Sequence, residues 1–254
     1  MKIIIAGYGF VGTAVNQCLA PYYQLVVVDP KFNKTKITDH PDAGAVIVCV
    51  GTPEGVDGRC DISQVQEVLK QVPRNIPVLI KSTLPPDQLR DVVLDSRARV
   101  TYSPEFLRAA SATQDFLNQT YMILGGEDAD FWEAIFKPAL PNCEKFIRCT
   151  MMEASMIKYA TNTFLATKVS FFNHIYDMCQ HIGPSYSAVR EILSMDERIG
   201  SSHMQVPGPD GSRGFGGHCF PKDTEAFVKY AQDIGLSFEL LEAAVEHNKK
   251  LRKM

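Results

Sequence analysis

Short apolar runs alternate with helical patterns of hydrophobic residues over the first half of the chain. Several runs are continuous in Val, Ile and Leu, which is typical of parallel strands that are buried on both faces. The predicted strands are Lys2–Ala6, Leu25–Val28, Ala45–Val50, Pro77–Lys81, Arg99–Tyr102 and Tyr121–Leu124. The predicted helices between them are Phe10–Leu19, Ile62–Gln71, Asp87–Leu94 and Asp130–Phe136. This alternation predicts an α/β fold with a doubly wound parallel sheet.

The pattern changes after Thr150, where strands stop and only helical periodicity remains. The segment Met151–His181 contains neither Pro nor Gly, so it predicts one long helix. Further helices are predicted at Ser185–Leu193, Thr224–Asp233 and Phe238–Arg252, with a loop rich in Gly and Pro from Gly200 to Pro221. We therefore expect two domains, an α/β domain over residues 1–150 and a mainly helical second domain over residues 151–254.

Composition narrows the possible functions of the chain. With 45% hydrophobic and 22% charged residues and a formal net charge of -3, the chain lacks the basic surplus of a nucleic-acid-binding protein. Its apolar runs are shorter than the roughly 18 residues that a membrane span needs. The seven cysteines are odd in number and form no CxxC pair, which argues against disulfides and a metal site. We expect a cytoplasmic protein that binds neither nucleic acid nor membrane.

The segment KIIIAGYGFVG carries three glycines directly after the first predicted strand. Gly7 permits a tight turn, Gly9 lets the backbone approach a pyrophosphate, and Gly12 permits close contact between helix and strand. Asp29 follows the second strand, where an acid binds the ribose hydroxyls of NAD. This arrangement predicts a Rossmann-type NAD site, although Lys31 leaves NADP open. The alternatives are a glycine turn with structural duties alone and Asp29 as a turn former.

Two more strand ends carry short hydroxyl residues. Thr52 follows the third predicted strand, and Ser82 and Thr83 follow the fourth. Ligands of open α/β sheets bind at the carboxyl edge of the strands, so these hydroxyls are candidate cofactor-binding groups. The alternative is ordinary turn chemistry, because Ser, Thr and Pro are common at strand ends.

Candidate catalytic groups lie in the predicted helical domain. Lys158 and Asn162 are four residues apart on the long helix, hence on one face, and Asn173 lies three turns further on. Cys219 lies in the loop GFGGHCFPKD, where glycines, a Lys and a helix start can favour a nucleophilic thiolate. The alternatives are a solvated polar stripe on the helix and an inert buried Cys.

Seven motifs together resemble the UDP-glucose/GDP-mannose dehydrogenase family. They occur in the family's order across essentially the whole chain, and the last is highly specific. They are GYGFVG at 7–12, GTP at 51–53, KSTLP at 81–85, SPEFLR at 103–108, EASMIKYATNTFLATKVSFFN at 153–173, DERIG at 196–200 and GFGGHCFPKD at 214–223.

The resemblance implies an enzyme that oxidises the C6 alcohol of a nucleotide sugar to a carboxylate while reducing two NAD. In that scheme Cys219 attacks the C6 aldehyde, giving a thiohemiacetal and then a thioester. Lys158 and Asn162 stabilise the developing oxyanion, and Asp223 with a bound water is the base in alcohol oxidation. Glu105 assists thioester hydrolysis.

The resemblance also assigns binding roles. Thr83 orients a water or the cofactor, and Phe106 and Leu107 line the sugar pocket. The substrate-binding positions further along the chain are Arg198, Phe215 and Gly216. Because the family's counterpart of Arg198 reaches the substrate of the neighbouring subunit, the likeness implies a homodimer. We expect the apolar stripe Leu240, Leu241, Ala244 and Val245 to pack across the dimer interface.

The chain departs from the family pattern at several places. The second acid of the family's EFL motif is Ala109 here, and the acid expected after Asn173 is His174. The family also carries a third, nucleotide-holding domain beyond the point where this sequence stops, and a separate chain is one way to supply it. UDP-glucose is the first substrate to test, with GDP-mannose and N-acetylated sugars left open.

Two rival interpretations remain at this stage. A β-hydroxyacid dehydrogenase also joins a Rossmann domain to a long helix with Lys and Asn four apart, but its single hydride transfer needs no thiol, so Cys219 argues against it. A non-catalytic or partner-dependent NAD-binding relative of the family would explain Ala109. The joint presence of Cys219, Asp223, Lys158 and Asn162 argues against that second rival.

Overall fold

The structure is a computed structural model that describes residues 1–253. The chain forms two compact units. One unit consists of Met1–Pro53 and Cys60–Lys158, and the other consists of Glu54–Arg59 and the residues from Tyr159 onward. The short segment 54–59 therefore belongs with the helical unit, although it lies between a strand and a helix of the α/β unit.

The α/β unit is built on one seven-stranded sheet. Its strands are β1 (Lys2–Ala6), β2 (Gln24–Val28), β3 (Ala45–Val48), β4 (Pro77–Ile80), β5 (Arg99–Tyr102), β6 (Tyr121–Gly125) and β7 (Lys145–Cys149). They are arranged in the order β2-β1-β3-β4-β5-β6-β7. The order reverses between β1 and β3, which is the switch point where ligands bind in doubly wound sheets. The predicted Rossmann-type α/β fold is confirmed.

The sheet is mixed rather than wholly parallel, which corrects one detail of the prediction. Strands β1 to β5 pair in parallel, but β6 pairs antiparallel with β5, and β7 is again parallel to β6. The connection from β5 to β6 contains only one short α-helix, α4 (Ala112–Leu117, six residues). A helix of that length returns the chain over only about 9 Å. The chain therefore enters β6 at the same end of the strands at which it left β5, so β6 runs antiparallel to β5.

Helices cover both faces of this sheet. They are α1 (Phe10–Leu19), α2 (Ser63–Gln71), α3 (Pro86–Asp95) and α5 (Ala129–Phe136), besides α4. Alternate residues of β1 enter opposite cores: Ile3 and Ile5 pack with α1, α4 and α5, whereas Ile4 packs with α2 and α3. Two-sided burial explains why the strands are continuous in apolar residues instead of alternating with polar ones.

Two elements of the α/β unit were not predicted, β7 and α4. The residues of β7 are exposed or half-buried, and Lys145 and Arg148 interrupt its apolar residues. An edge strand of this kind has no continuous apolar run for sequence reading to detect. Helix α4 is too short to show two turns of periodicity.

The helical unit contains most of the long helix α6 (Met151–Ile182), with α7 (Tyr186–Ser194), α8 (Phe220–Asp233) and α9 (Glu239–Arg252). Helix α8 begins four residues before the predicted Thr224. Pro221 lies at its first turn, a position that tolerates the missing N–H of proline. The glycine-rich loop therefore ends at Cys219 rather than at Pro221, and this places the cysteine at a helix start.

The predicted apolar stripe on α9 packs inside the chain. Leu241, Ala244 and Val245 are buried, and Val245 joins a small core with Ala166. Only Leu240 of the four predicted residues is exposed. The expectation that this stripe forms a dimer interface is therefore wrong for three of its four residues, because the unit's own helices cover them. Within residues 1–253, no helix has the length and hydropathy needed to cross a membrane.

Candidate functional site

The loop between β1 and α1 has the backbone geometry that its three glycines predict. Gly7 has φ +92°, and a Cβ added there would lie 2.7 Å from the backbone of Cys49. A Cβ at Gly12 would lie 2.0 Å from the carbonyl oxygen of Gly7. Side chains at these two positions would collide with backbone that cannot give way. Both glycines are thus required by the close packing of loop, helix and β3.

Gly9 differs from its two neighbours, because a Cβ there would meet no described atom within 4 Å. It is the N-cap of α1, and no side chain of the described residues caps that helix start. The exposed N–H groups at a helix N-terminus, together with the helix dipole, attract anions such as a pyrophosphate. The open space at Gly9 and the uncapped helix therefore fit a dinucleotide.

Asp29 lies where the ribose acceptor of the cofactor is expected, directly after β2. Its Oδ2 accepts a hydrogen bond from the Tyr8 N–H at 2.7 Å, and its Oδ1 accepts one from the Lys31 N–H at 2.8 Å. These contacts fix the carboxylate beside the glycine loop. Its remaining lone pairs can accept from ribose hydroxyls.

The hydroxyls at the ends of β3 and β4 bond to backbone carbonyls. Thr52 Oγ1 donates to the Thr83 carbonyl at 2.9 Å, and Ser82 Oγ donates to the Val50 carbonyl at 2.7 Å. These bonds tie the two strand ends together. Thr52 and Ser82 are buried and Thr83 is half-buried. Their roles as cofactor contacts stay a prediction.

A buried lysine at the end of β4 was not singled out by sequence reasoning. Lys81 is 2% exposed, its Nζ donates to Ser103 Oγ at 3.1 Å, and it lies 5.6 Å from the centre of the Phe116 ring. Burial lowers the pKa of Lys81 to about 8. The signal was present in the sequence, since this lysine directly continues the buried run PVLI.

Lys158, on α6, is held by the loop that follows β5. Its Nζ donates to the Glu105 carbonyl at 2.5 Å and lies 3.5 Å from Glu105 Oε1. The Phe106 ring centre is 5.3 Å from the same ammonium group. Glu105 Oε2 in turn accepts the Leu107 N–H at 2.6 Å. The structure thus brings together four of the predicted residues in one buried, charge-paired cluster.

Ala109, the position where the family has an acid, begins a short 3₁₀ turn, Ala109–Ser111. It is exposed and lines a surface cavity with Phe10 and Thr13 of the first turns of α1. The neighbouring Arg108 pairs with Asp115 at 2.6 Å instead. A small apolar side chain therefore lines the cavity at the start of α1, where the resemblance leads one to expect a carboxylate.

Cys219 is the N-cap residue of α8, and its carbonyl accepts the Asp223 N–H at 2.8 Å. The thiol is half-buried and forms no disulfide. The nucleophilic thiolate expected at Cys219 stays a prediction. By contrast, burial raises the pKa values of the Cys18 and Cys49 thiols to about 12, which makes them unreactive.

Asp223 is 1% exposed and lies one turn into α8. Its Oδ2 accepts a hydrogen bond from Asn162 Nδ2 at 2.6 Å, and its Oδ1 accepts one from Lys222 Nζ at 2.5 Å. A buried carboxylate is stable only when it is paired and hydrogen-bonded in this way. The structure thereby brings together Asn162 and Asp223, which sequence reasoning had placed in separate motifs.

The glycine loop before Cys219 contains the other predicted substrate contacts. Phe215 is buried, and its ring meets that of Phe220 at 6.4 Å. A Cβ at Gly216 would lie 2.3 Å from Arg252 Nη1. Gly217 has φ +77° and open space around it among the described residues. Their contacts with substrate stay a prediction.

Arg198 pairs with the nearby acid Asp196. It is exposed, and its Nε and Nη2 bond to Asp196 at 2.9 and 2.5 Å. The predicted reach of Arg198 into a partner's substrate stays untested. The described residues contain no cluster of three or more His, Cys, Asp or Glu that could hold a metal ion.

Comparisons with known proteins agree with this picture. Residues 31–138 match the NAD binding domain of the UDP-glucose/GDP-mannose dehydrogenase family, and residues 152–250 match its central domain. The chain is 32% identical to a UDP-glucose 6-dehydrogenase of Rickettsia felis over 87% of its own length and 51% of that protein. For the Rhizobium meliloti UDP-glucose 6-dehydrogenase, the values are 30% identity, 98% of this chain and 67% of that protein.

A solved structure gives the same result. The UDP-glucose dehydrogenase of the hyperthermophilic archaeon Pyrobaculum islandicum matches with a TM-score of 0.85 at 26% identity, covering 98% of this chain and 68% of that one. The chain thus spans between half and two thirds of the length of these proteins. It matches them over both of the units described above.

Proposed function

The chain belongs to the UDP-glucose/GDP-mannose dehydrogenase family, and we propose that it is an NAD-dependent nucleotide-sugar 6-dehydrogenase that converts UDP-glucose to UDP-glucuronate through a Cys219 thioester. The observation that carries the proposal is the arrangement at the start of α8. Cys219 occupies the N-cap, and Asp223 is held one turn later by Asn162 at 2.6 Å. A nucleophile and a base on one helix start serve a reaction with a covalent intermediate.

The first oxidation removes a hydride from C6 and a proton from the C6 hydroxyl. Asp223 takes that proton, through a bound water, because it is a buried carboxylate one helical turn after Cys219. NAD, when bound, accepts the hydride in both oxidation steps. Gly9 and the start of α1 would hold its pyrophosphate, and Asp29 would accept hydrogen bonds from its ribose.

Cys219 then retains the aldehyde. Its thiolate attacks C6 and forms a C–S bond, and the carbonyl oxygen becomes the oxyanion of a thiohemiacetal. Asn162 has a second amide N–H besides the one that donates to Asp223. The Lys158 ammonium group has three N–H donors in all. Asn162 can therefore stabilise the oxyanion without releasing Asp223, and we assign Lys158 the same role on the family resemblance. Loss of a second hydride from C6 gives the thioester.

Hydrolysis of the thioester completes the reaction. Water adds to the acyl carbon, the C–S bond breaks, and the carboxylate leaves with the thiol restored. Glu105 accepts the proton of the attacking water, and Lys158 Nζ lies 3.5 Å from its Oε1. This ion pair and the Leu107 N–H hold the Glu105 carboxylate in a fixed place.

A β-hydroxyacid dehydrogenase remains the nearest alternative chemistry. It transfers one hydride and forms no covalent adduct, so the reaction stoichiometry separates the two proposals. Cys219 lies at a helix N-cap, a position suited to a nucleophilic thiol. The thioester route uses such a nucleophile, so the placement of Cys219 favours that route.

The test is the number of NADH formed per UDP-glucose consumed, for wild type, Cys219→Ser and the matched control Cys143→Ser. The proposal predicts two NADH per sugar for wild type and for the control, and loss of thioester turnover for Cys219→Ser. One NADH per sugar would support a simple alcohol dehydrogenase. Bound NAD without turnover of UDP-glucose, GDP-mannose or an N-acetylated sugar would support the non-catalytic alternative.

The proposal includes a homodimer in the cytoplasm, formed across α6 rather than α9. Phe164, Phe171 and Met178 recur every seven residues on α6 and are 65%, 55% and 58% exposed. A heptad-spaced apolar stripe is a surface that pairs with a second helix. If this stripe paired with the same stripe of a second chain, the dimer would bury large side chains that a monomer exposes to water.

Sedimentation of wild type and Phe171→Glu tests the dimer. The dimer should be wild type's main species, and a charge in the centre of the stripe should dissociate it. Leu94→Glu, at an exposed apolar position on α3, is the matched control and should remain dimeric. A wild-type monomer at all concentrations would contradict this part of the proposal.

A further inference from the structure

Two buried asparagines hold the glycine loop that precedes Cys219. Asn173 lies on α6 and Asn248 on α9, and they are 1% and 3% exposed. The sequence placed Asn173 on the polar face of the long helix without giving it a role. Asn248 follows Leu241 and Val245 on the buried face of α9, where an apolar residue would be expected. A buried amide at such a position needs a hydrogen-bonding purpose.

The Asn248 side chain bonds both polar backbone groups of Phe215. Its Oδ1 accepts the Phe215 N–H at 2.7 Å, and its Nδ2 donates to the Phe215 carbonyl at 2.9 Å. This is the pairing that a neighbouring β-strand would provide, supplied here by one side chain. It fixes the peptide groups on both sides of Phe215.

Gly214, the preceding residue, is held in the same way by two side chains. Asn173 Oδ1 accepts its N–H at 3.2 Å, and its carbonyl accepts a hydrogen bond from Arg252 Nη2 at 3.1 Å. All four backbone polar groups of Gly214 and Phe215 therefore have partners from α6 and α9. These two residues, which we call the clamped pair, lead directly into Gly216 and Gly217.

The clamp requires glycine at its first residue. Gly214 has φ +73°, and a Cβ there would lie 2.3 Å from Asn248 Oδ1. Side-chain packing also connects the clamped pair to the residue that follows Cys219. The Phe215 ring lies in a small core with Ala166 and Val245 and meets the ring of Phe220, the residue after Cys219. The loop is thus fixed both before Gly216 and Gly217 and after them.

We propose that Asn248 and Asn173 are positioning residues that hold the clamped pair so that Gly216 and Gly217 present their backbone to the nucleotide sugar and Cys219 keeps its place at the helix start. Neither asparagine contacts the substrate. The inference rests on the proposed function, because it assigns the second glycine loop to substrate. It makes the sugar affinity depend on two side chains that face away from the ligand.

The decisive variant is Asn248→Asp, which retains the acceptor for the Phe215 N–H but sets a carboxylate against the Phe215 carbonyl. We expect its KM for UDP-glucose to rise about tenfold or more at pH 8, which corresponds to the loss of one good hydrogen bond. The KM for NAD should not change. Lowering the pH should bring the sugar KM back toward the wild-type value, because a protonated carboxyl group can again donate to the carbonyl.

Two matched variants separate positioning from stability. Asn173→Asp keeps the acceptor for the Gly214 N–H and for Arg213 Nε, and it sets its second oxygen against the Val169 carbonyl of its own helix instead of against the loop, so its sugar KM should stay near wild type. Ser170→Ala removes a buried bond from α6 to the Ala244 carbonyl of α9 that does not involve the backbone of the loop. It should lower the melting temperature without raising the KM. If Asn248→Asp does not fold, Arg252→Met provides the same comparison at the Gly214 carbonyl.

Alkylation of Cys219 by iodoacetamide, followed by peptide mass spectrometry, gives a readout that needs no turnover. Asn248→Asp should slow the reaction, and Asn173→Asp should not. If wild type turns over no nucleotide sugar while this difference persists, the proposed function fails and the clamp stands. If turnover occurs and Asn248→Asp matches Asn173→Asp in both sugar KM and alkylation rate at every pH, the clamp proposal is overturned.

Discussion

Both glycine loops of the chain depend on glycine, but different kinds of atoms pack against their glycines. In the first loop, the glycines fit against backbone: a Cβ at Gly12 would lie 2.0 Å from the Gly7 carbonyl oxygen. In the second, they fit against side chains, since a Cβ at Gly214 or Gly216 would meet Asn248 or Arg252. A loop formed by its own backbone can be recognised in a short motif. A loop formed by side chains from distant helices cannot.

The largest expected effect comes from breaking the first loop with Gly12→Ala. The added Cβ would collide with a carbonyl in the middle of the cofactor loop, so α1 must move away from β1. We expect NAD affinity to fall by about 100-fold or more, equivalent to roughly 3 kcal/mol. Titration calorimetry with NAD measures it.

Gly44→Ala is the control for that variant. Its Cβ would press on the flexible Met1 side chain at 2.9 Å instead of on the backbone of the loop. NAD affinity should remain near the wild-type value. Equal losses of NAD affinity in both variants would mean that any added Cβ in the α/β unit disturbs binding. The effect of Gly12→Ala would then not be specific to the first glycine loop.

A second comparison concerns buried charges. Asp223 pairs with Lys222 and Asn162, whereas Lys81 donates to the hydroxyl of Ser103, and its burial lowers its pKa from 10.5 to about 8. Below pH 8 the folded protein bears the full cost of a buried ammonium group. As pH rises from 8 to 10.5, the folded state has released a proton that the unfolded state retains, so stability rises.

Replacing both partners, in Lys81→Met with Ser103→Ala, should raise the free energy of unfolding at pH 7 by about 3 kcal/mol. It should also flatten the rise in stability between pH 8 and 10.5. Urea unfolding at pH 7 and pH 10 measures both effects, with Ser103→Ala alone as control. A double variant less stable than wild type at pH 7 would show that the ammonium group is stabilised by its surroundings.

The smallest effect is expected in the second loop from Gly216→Ala. Its Cβ would meet the Arg252 guanidinium, the far end of a flexible side chain, and displacing that group would loosen only one of the four hydrogen bonds of the clamped pair. We expect the sugar KM to rise by less than about tenfold, below 1.4 kcal/mol, with NAD affinity unchanged. Steady-state kinetics with UDP-glucose check it. A loss as large as that of Gly12→Ala for NAD would remove the distinction between backbone-supported and side-chain-supported loops.

Sequence reasoning recovered what short-range patterns encode. The order and type of β1 to β6 followed from continuous apolar runs, and the glycine spacing located the cofactor loop. It missed β7, because a half-exposed edge strand lacks an apolar run. It also placed the stripe of α9 at an interface, because periodicity shows that a helix has an apolar face and not which surface covers it.

The candidate site shows the same limit. Cys219, Asp223 and Lys158 were recognisable because each belongs to a motif, and their neighbours in space were not. The pairing of Asn162 with Asp223 joins residues 61 positions apart, and that of Asn248 with Phe215 joins residues 33 apart. Lys81 looked like the last residue of a strand. Contacts of this range depend on tertiary packing and leave no periodic trace in the sequence.

The most direct test of the central claim is to trap the thioester on Cys219. Glu105→Gln should slow hydrolysis more than oxidation, so UDP-glucose and NAD should leave a uridine-diphosphoglucuronyl group on the Cys219 peptide, detectable by mass spectrometry. The account predicts this adduct in Glu105→Gln, its release by hydroxylamine, and its absence when Cys219→Ser is added. NADH formation by Glu105→Gln with an unmodified Cys219 peptide throughout would contradict it.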